Sequence, residues 1–187
     1  LTKSDTRVWC FYKPKGYVSS NKEQLNQKSL FRLIPKNLPR VITVGRLDIN
    51  SEGLMILTNN PSLSNFLERP ENEISRIYEV EVYGKFSDDL ISRAKKLKIN
   101  NIYYKSIFIK KLFSKNLFHK LSIELTEGKN REIRKVMEFF SLKVLKLKRI
   151  NYGPFKLNTL KKSQINEIEK KDLNVICEKL GFKNENY

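Results

Sequence analysis

Cysteine and histidine are nearly absent. The 187 residues hold two cysteines, Cys10 and Cys177, and one histidine, His119. The cysteines lack C-x-x-C spacing, so the ligand set of a zinc centre is missing and no metal is expected. Nothing in their spacing argues for a disulfide, and reduced thiols in a cytoplasmic protein are the expectation. A Ser/His or Cys/His catalytic pair would have only His119 to draw on. That residue stands in SKNLFHKLSIEL, read as a hairpin entering a strand, with no nucleophile motif beside it; a surface histidine is expected. No apolar run is long enough to span a membrane, and no signal peptide is visible. The chain begins with Leu1 rather than methionine, which leaves room for residues upstream. Negative charge is also scarce: 20 acidic residues against 37 basic ones give a net charge of +17. Such a charge attracts polyanions, nucleic acid the commonest. Solubility, or lysine drift in an AT-rich genome, is the competing reading, and charge alone does not tell RNA from DNA.

What is present describes a globular chain. Hydrophobic residues make up 40%, enough for a core in one large domain or two small lobes. RVWCFYKPKGYVSS begins as a strand and turns at Pro14-Lys15-Gly16. Residues 21–40 are polar, with one helical turn at most. Strands are predicted at 41–44 and 53–58, and Leu63, Phe66 and Leu67 have helical spacing. RIYEVEVYG alternates, with Tyr78, Val80 and Val82 on one face and Ile77, Glu79, Glu81 and Tyr83 on the other. FSDDLISRAKKLKI reads as a helix capped by Ser87, with Phe86 stapled to Ile91. Strands are expected at 102–112 and 120–126, a helix at about 129–141 and a strand at 142–150. The last helix carries Leu173, Ile176 and Leu180 and stops at Gly181. The intermixed, hairpin-like order argues for an α+β fold with a mainly antiparallel sheet. No internal repeat or low-complexity linker is visible, and the Lys-rich 161–171 segment reads as solvated surface.

Three places invite chemistry. Asp48 lies in VGRLDINSEG between two apolar strands. Its ordinary reading is an Asx-turn; an ion pair with Arg46 is open to it, and Asp48 with Glu52 could flank a glycosidic bond. In TEGKNREIRKVMEFF, Ile133, Val136, Met137 and Phe140 form a core stripe. Arg134 sits at its edge, about 100° from Ile133, placed to reach into a cleft toward a carboxylate. Arg131 and Lys135 point outward, toward phosphate or toward water. Tyr78 is either a core tyrosine with its hydroxyl at the edge or a ring that stacks on a base.

YKPKGYVSS, VGRLDINSEGLMILTNN, RIYEVEVYG, EGKNREIRKVMEFF and LKLKRINYGPF follow one another in this order. Together they resemble the RsuA/RluB/RluE/RluF family of ribosomal RNA pseudouridine synthases, over about residues 8 to 157. The form NREIRK…RINYGPF looks closest to the RluB-type branch, which modifies large-subunit (23S) rRNA. The resemblance implies a pseudouridine synthase fold: a long, mixed, mainly antiparallel sheet flanked by helices. Residues 1–187 would form the catalytic domain, two lobes around a central RNA-binding cleft. It implies an isomerase that breaks the N1–C1′ bond of a uridine, turns the uracil and rejoins it through C5, with no cofactor. Asp48 maps to the nucleophile. Tyr78 maps to the residue that stacks on the base and is a candidate acceptor of the C5 proton. Arg134 maps to the arginine that pairs with the aspartate, and Leu147 to the apolar residue that packs on the base.

These roles are physically coherent. A nucleophilic carboxylate must stay ionised where water is excluded, and a cation such as Arg134 offsets the cost of burying it. The uracil must leave its stack, at a few kcal/mol, recovered in part by Tyr78 and Leu147. RNA contacts are expected from Lys13, Lys15, Arg46, Lys129, Asn130, Arg131, Lys135, Lys148 and Arg149. Arg46 either meets phosphate or fills the gap left by the base. The chain departs from the family in places. Many members carry glutamine at the Glu132 position, though the RluB-like branch has glutamate. Asn100-Asn101 replaces the usual Asp-Gly. The N-terminal S4 RNA-binding domain of many members is absent from this chain. A monomer acting on rRNA or a large-subunit precursor, away from membranes, is expected. Two rivals stand beside the enzyme: a non-catalytic rRNA-binding or assembly factor, and a carbohydrate glycosidase. The Asp48, Tyr78 and Arg134 set favours the enzyme over the first. A glycosidase would have fewer basic residues and a second placed acid.

Overall fold

The computed structural model describes residues 5–129 and 131–183. Its contacts divide the chain into two compact units, Leu1–Asn72 with Pro154–Tyr187, and Glu73–Gly153.

In the first unit, strand Val8–Lys13 is buried at every position. It pairs antiparallel with Glu52–Thr58 on one side and with Ile165–Glu167 on the other. Glu52–Thr58 is also buried throughout and pairs in turn with Ile42–Val44. Two such strands explain the unbroken apolar runs, since a strand covered on both faces has no polar side to show. Helix Pro61–Glu68 packs here, its N-cap Asn60 accepting from the Ser62 amide at 2.9 Å and proline at its first turn. Helix Lys170–Leu180 ends on Gly181, in the left-handed region at φ 76°, as the sequence predicts. Cys10 and Cys177 are buried free thiols, and burial pushes Cys10 up to about 12.

The second unit is an antiparallel sheet in the order Lys143–Tyr152, Arg76–Tyr83, Phe118–Leu125, Phe108–Lys115. The alternation in RIYEVEVYG decides which face is covered. Val80 and Val82 are fully buried with Leu121, Ile123 and Ile109 from neighbouring strands. Helices Asp89–Ala94 and Glu132–Phe139 close this core through Leu90, Ala94, Ile133, Val136 and Met137. Burying a side chain of that size is worth about 1.5–3 kcal/mol.

Several elements differ from expectation. The helix over FSDDLISRAKKLKI is confined to Asp89–Ala94, and Ser87 does not cap it. Lys98–Ile99 instead pairs with Ile102–Tyr103 around Asn100-Asn101, both at positive φ (49° and 64°). Asparagine tolerates that conformation, which a two-residue hairpin turn demands. The strand expected over 102–112 is broken: the amides of Tyr104 and Ile107 bond back to the carbonyls of Leu97 and Ala94. His119 is buried, not on the surface. Its Nε2 donates to the Gly84 carbonyl at 2.8 Å, which leaves Nδ1 to accept from Ser114 Oγ at 2.7 Å.

Candidate active site

The Asp48 loop is held in shape by a short set of bonds. Gly45 opens it at φ 71°, a value costly for a residue with Cβ. Leu47 is buried, and Ser19 clamps its backbone: the Leu47 amide donates to Ser19 Oγ at 3.1 Å, and Ser19 Oγ donates to the Leu47 carbonyl at 2.9 Å. Asp48 itself is half-buried, and its Oδ1 accepts from the Asn50 amide at 2.9 Å, the Asx-turn its position suggested. The Ser51 amide bonds to the Asp48 carbonyl at 3.0 Å. The Pro14-Lys15-Gly16 turn meets the same loop, with the Gly16 amide donating to the Ile49 carbonyl at 2.7 Å. Arg46 and Lys15 are exposed beside it.

Lys13, expected to contact RNA, is instead fully buried (0% exposed). Its Nζ donates to the Ser51 carbonyl at 2.6 Å and the Pro14 carbonyl at 3.1 Å. It is a strut beneath the loop rather than a phosphate contact. Glu52 is also buried, accepting from the Tyr12 hydroxyl at 2.5 Å. Buried and bonded to that hydroxyl, it is not the open second acid that a glycosidase reading requires.

The other named residues belong to the second unit. Tyr78 is half-buried against the core, and among the described residues its hydroxyl has no hydrogen-bond partner. Leu147 lies in the core, in register with Val80. Arg134 is half-buried, with Arg131 and Lys135 exposed, as the helical spacing placed them. Arg131 and Arg134 line a shallow pocket of about 420 Å³ with Glu138, Ser141 and Lys143. Arg131 stands at φ 52°, ψ 32°, a left-handed conformation that a non-glycine residue adopts only under constraint. Asn130 lies outside the described residues. Lys129 is exposed, with its Nζ on Glu127 at 2.6 Å. Lys148 is half-buried beside Glu79 at 3.8 Å. Arg149, a second expected RNA contact, is buried with its guanidinium 5.0 Å over the Tyr152 ring; it too belongs to the fold.

Next to Arg131, Glu132 belongs to a buried polar group that the sequence reading missed. Arg76 is buried and donates to the carbonyls of Ile74 (2.7 Å) and Thr126 (3.2 Å) and to the Tyr152 hydroxyl (2.9 Å). Next to Thr126, Glu127 is 7% exposed and accepts from the Lys105 amide at 3.0 Å. Glu132, at the start of the Arg134 helix, is 4% exposed. Burial, then the proximity of Glu127, pushes Glu132 up to about 9 despite Lys129 and Arg76. It is therefore a neutral acid at pH 7, close to Glu127. Burial acts to raise Glu127 as well, but the nearby Glu132 acid and the bonds from Lys129 and the Lys105 amide outweigh it and hold Glu127 below the usual range. Among the described residues neither carboxyl oxygen of Glu132 has a hydrogen-bond partner. A signal existed: Arg76 shares the parity of buried Val80 and Val82, and a charge on that face must be paired.

Comparison with known proteins points one way. Residues 7–139 match the family model described as RNA pseudouridylate synthase. A protein of Rickettsia bellii (strain RML369-C), called an uncharacterized RNA pseudouridine synthase, is 45% identical over 89% of this chain and 72% of its own length. Ribosomal large subunit pseudouridine synthase B of Buchnera aphidicola subsp. Baizongia pistaciae (strain Bp) is 34% identical over 95% of this chain and 73% of its own length. A crystal structure of a pseudouridylate synthase overlays with a TM-score of 0.83 at 17% identity, covering 94% of this chain and 75% of that one.

Proposed function

The chain belongs to the RNA pseudouridylate synthase family, whose members are isomerases, and from there we propose that it converts a uridine of large-subunit ribosomal RNA to pseudouridine with Asp48 as nucleophile. The observation that carries this reading is the Asp48 loop: a carboxylate half-exposed in a turn fixed by Ser19, Asn50 and the buried Lys13 strut. A binding protein gains nothing from a negative charge held so firmly toward a polyanion. A nucleophile gains orientation.

The residues divide the work. Asp48 receives the ribosyl carbon or the uracil ring as the N1–C1′ bond breaks. Arg134 pairs with that carboxylate and orients it. Tyr78 stacks on the turned base, and its hydroxyl takes the C5 proton once C5 has joined C1′. Leu147 backs the base. N1 gains the proton that C5 loses, so the isomerisation balances without an oxidant or reductant. Lys15, Arg46, Lys129, Arg131 and Lys135 meet phosphates, and Arg46 supports the displaced stack. The large subunit is favoured by the likeness to the Buchnera enzyme, which is named for it.

Pseudouridine mapping of rRNA from cells with and without the gene tests the reading. One site in large-subunit rRNA is expected to revert to uridine. Loss from small-subunit rRNA alone would overturn the substrate, and no loss anywhere would overturn the activity.

A further inference from the structure

The sheet of the second unit has a face turned away from Tyr78, Val80 and Val82, and no helix of that unit covers it. The register sets Lys143, Tyr83, Phe118 and Lys115 in one row across all four strands. In the next row Lys120 lies opposite Phe113, and the Phe113 and Phe118 rings meet edge to face at 6.2 Å. Tyr83 is 51% exposed and Phe113 52%. Lys115 and Lys143 are exposed and, among the described residues, make no ion pair; Lys120 lies 3.6 Å from Glu79.

Lysines on an edge strand ordinarily block edge-to-edge pairing, which accounts for Lys115. It does not account for Tyr83 and Phe118, which stand on interior strands. A protein partner is a poor fit, because the centre of a protein interface is depleted of lysine, and here lysine flanks every ring. Unpaired RNA matches both features, since bases stack on aromatic rings and phosphates meet amines. We propose that this face binds an unpaired segment of the substrate RNA away from the reacting uridine, with bases on Tyr83, Phe113 and Phe118 and phosphates on Lys115, Lys120 and Lys143. The proposal rests on the reading that RNA is the substrate, and it extends the footprint beyond the Asp48 and Arg134 regions.

The test uses the full chain, an unstructured oligouridylate and the rRNA fragment that the protein modifies. In the double variant Tyr83→Ala/Phe113→Ala, affinity for the oligouridylate should fall about tenfold, the scale of lost base stacking. In Lys115→Gln/Lys143→Gln, the slope of log affinity against log salt should shrink by about 1.4, two single-strand phosphate contacts. Lys161→Gln/Lys162→Gln removes the same charge from exposed residues of the other unit and should leave affinity within about twofold, about 0.4 kcal/mol. Both lysine pairs are exposed, so the slope decides the matter should the alanine variant fold poorly. Unchanged affinity in both face variants, or equal weakening in the control pair, would overturn the proposal. Those results with normal pseudouridine formation would sink this surface and spare the activity. Face-dependent binding by a wild type that forms no pseudouridine would do the reverse.

Discussion

Replacing Glu132 by glutamine should make the protein more stable at neutral pH, and increasingly so as the pH rises. Glu132 is raised from about 4.5 to about 9 by burial and by Glu127. A raised acid contributes stability that is whole below about pH 4.5, where both folded and unfolded chains hold the proton. It is lost progressively as the pH climbs toward 9, because only the folded chain must keep the proton. At pH 7 that uptake costs about 3 kcal/mol, at about 1.4 kcal/mol per unit. Glutamine carries no such cost and is nearly isosteric. Glu127 stays ionised in both proteins, so its own titration cancels in the comparison. The difference between Glu132→Gln and wild type should therefore be near zero at about pH 4 and grow by about 1.4 kcal/mol per pH unit from about 5 toward 9, reaching about 3 kcal/mol at pH 7. Urea unfolding followed by circular dichroism gives the differences, and hydrogen exchange over residues 120–137 assigns them to the second unit. A difference that does not change with pH, or a wild type more stable than the variant at pH 8, would refute the neutral-acid assignment.

Three further outcomes follow from the same geometry. Arg134→Lys should lower the single-turnover rate at least about a hundredfold, about 2.7 kcal/mol of barrier, because lysine loses the planar two-pronged fit to a carboxylate; Arg131→Lys, measured beside it, should act on RNA affinity instead. Tyr78→Phe should bind RNA normally yet fail to complete isomerisation, which near-normal product formation would contradict. Lys13→Met should destabilise the protein by about 2–4 kcal/mol in urea unfolding, since the Ser51 and Pro14 carbonyls lose their buried donor; a cost under about 0.5 kcal/mol, the size of an ordinary surface change, would return Lys13 to the surface.

Local pattern made much of this legible. Strict alternation in RIYEVEVYG placed Val80 and Val82 in the core, and helical spacing put Arg134 at the edge of its stripe with Arg131 and Lys135 outside. Glycine at 181 ended its helix where a left-handed residue was needed. What was hidden depends on tertiary surroundings. Lys13 and Arg149 look like RNA contacts by residue type, but each ends in a buried setting that supplies carbonyls or an aromatic face. Leu97-Lys98-Ile99 has the makeup of a helix end, yet backbone bonds to Tyr104 and a left-handed asparagine pair turn it into a hairpin. The Glu127–Glu132 pair could not be read from spacing alone, because it depends on burial at both positions, which local pattern does not give.

Asp48→Asn tests the central claim most directly. The Asn50 amide that donates to Asp48 Oδ1 at 2.9 Å can donate equally to an asparagine oxygen, so the turn should persist. Tritium release from C5-labelled uridine in an rRNA fragment reports the reaction, and a parallel filter-binding titration reports the affinity. With Asp48 as nucleophile, release disappears while RNA binds as tightly as before or slightly better, because a negative charge has left a surface that meets phosphate. Turnover within about tenfold of wild type, a loss of less than about 1.4 kcal/mol in the barrier, would contradict it.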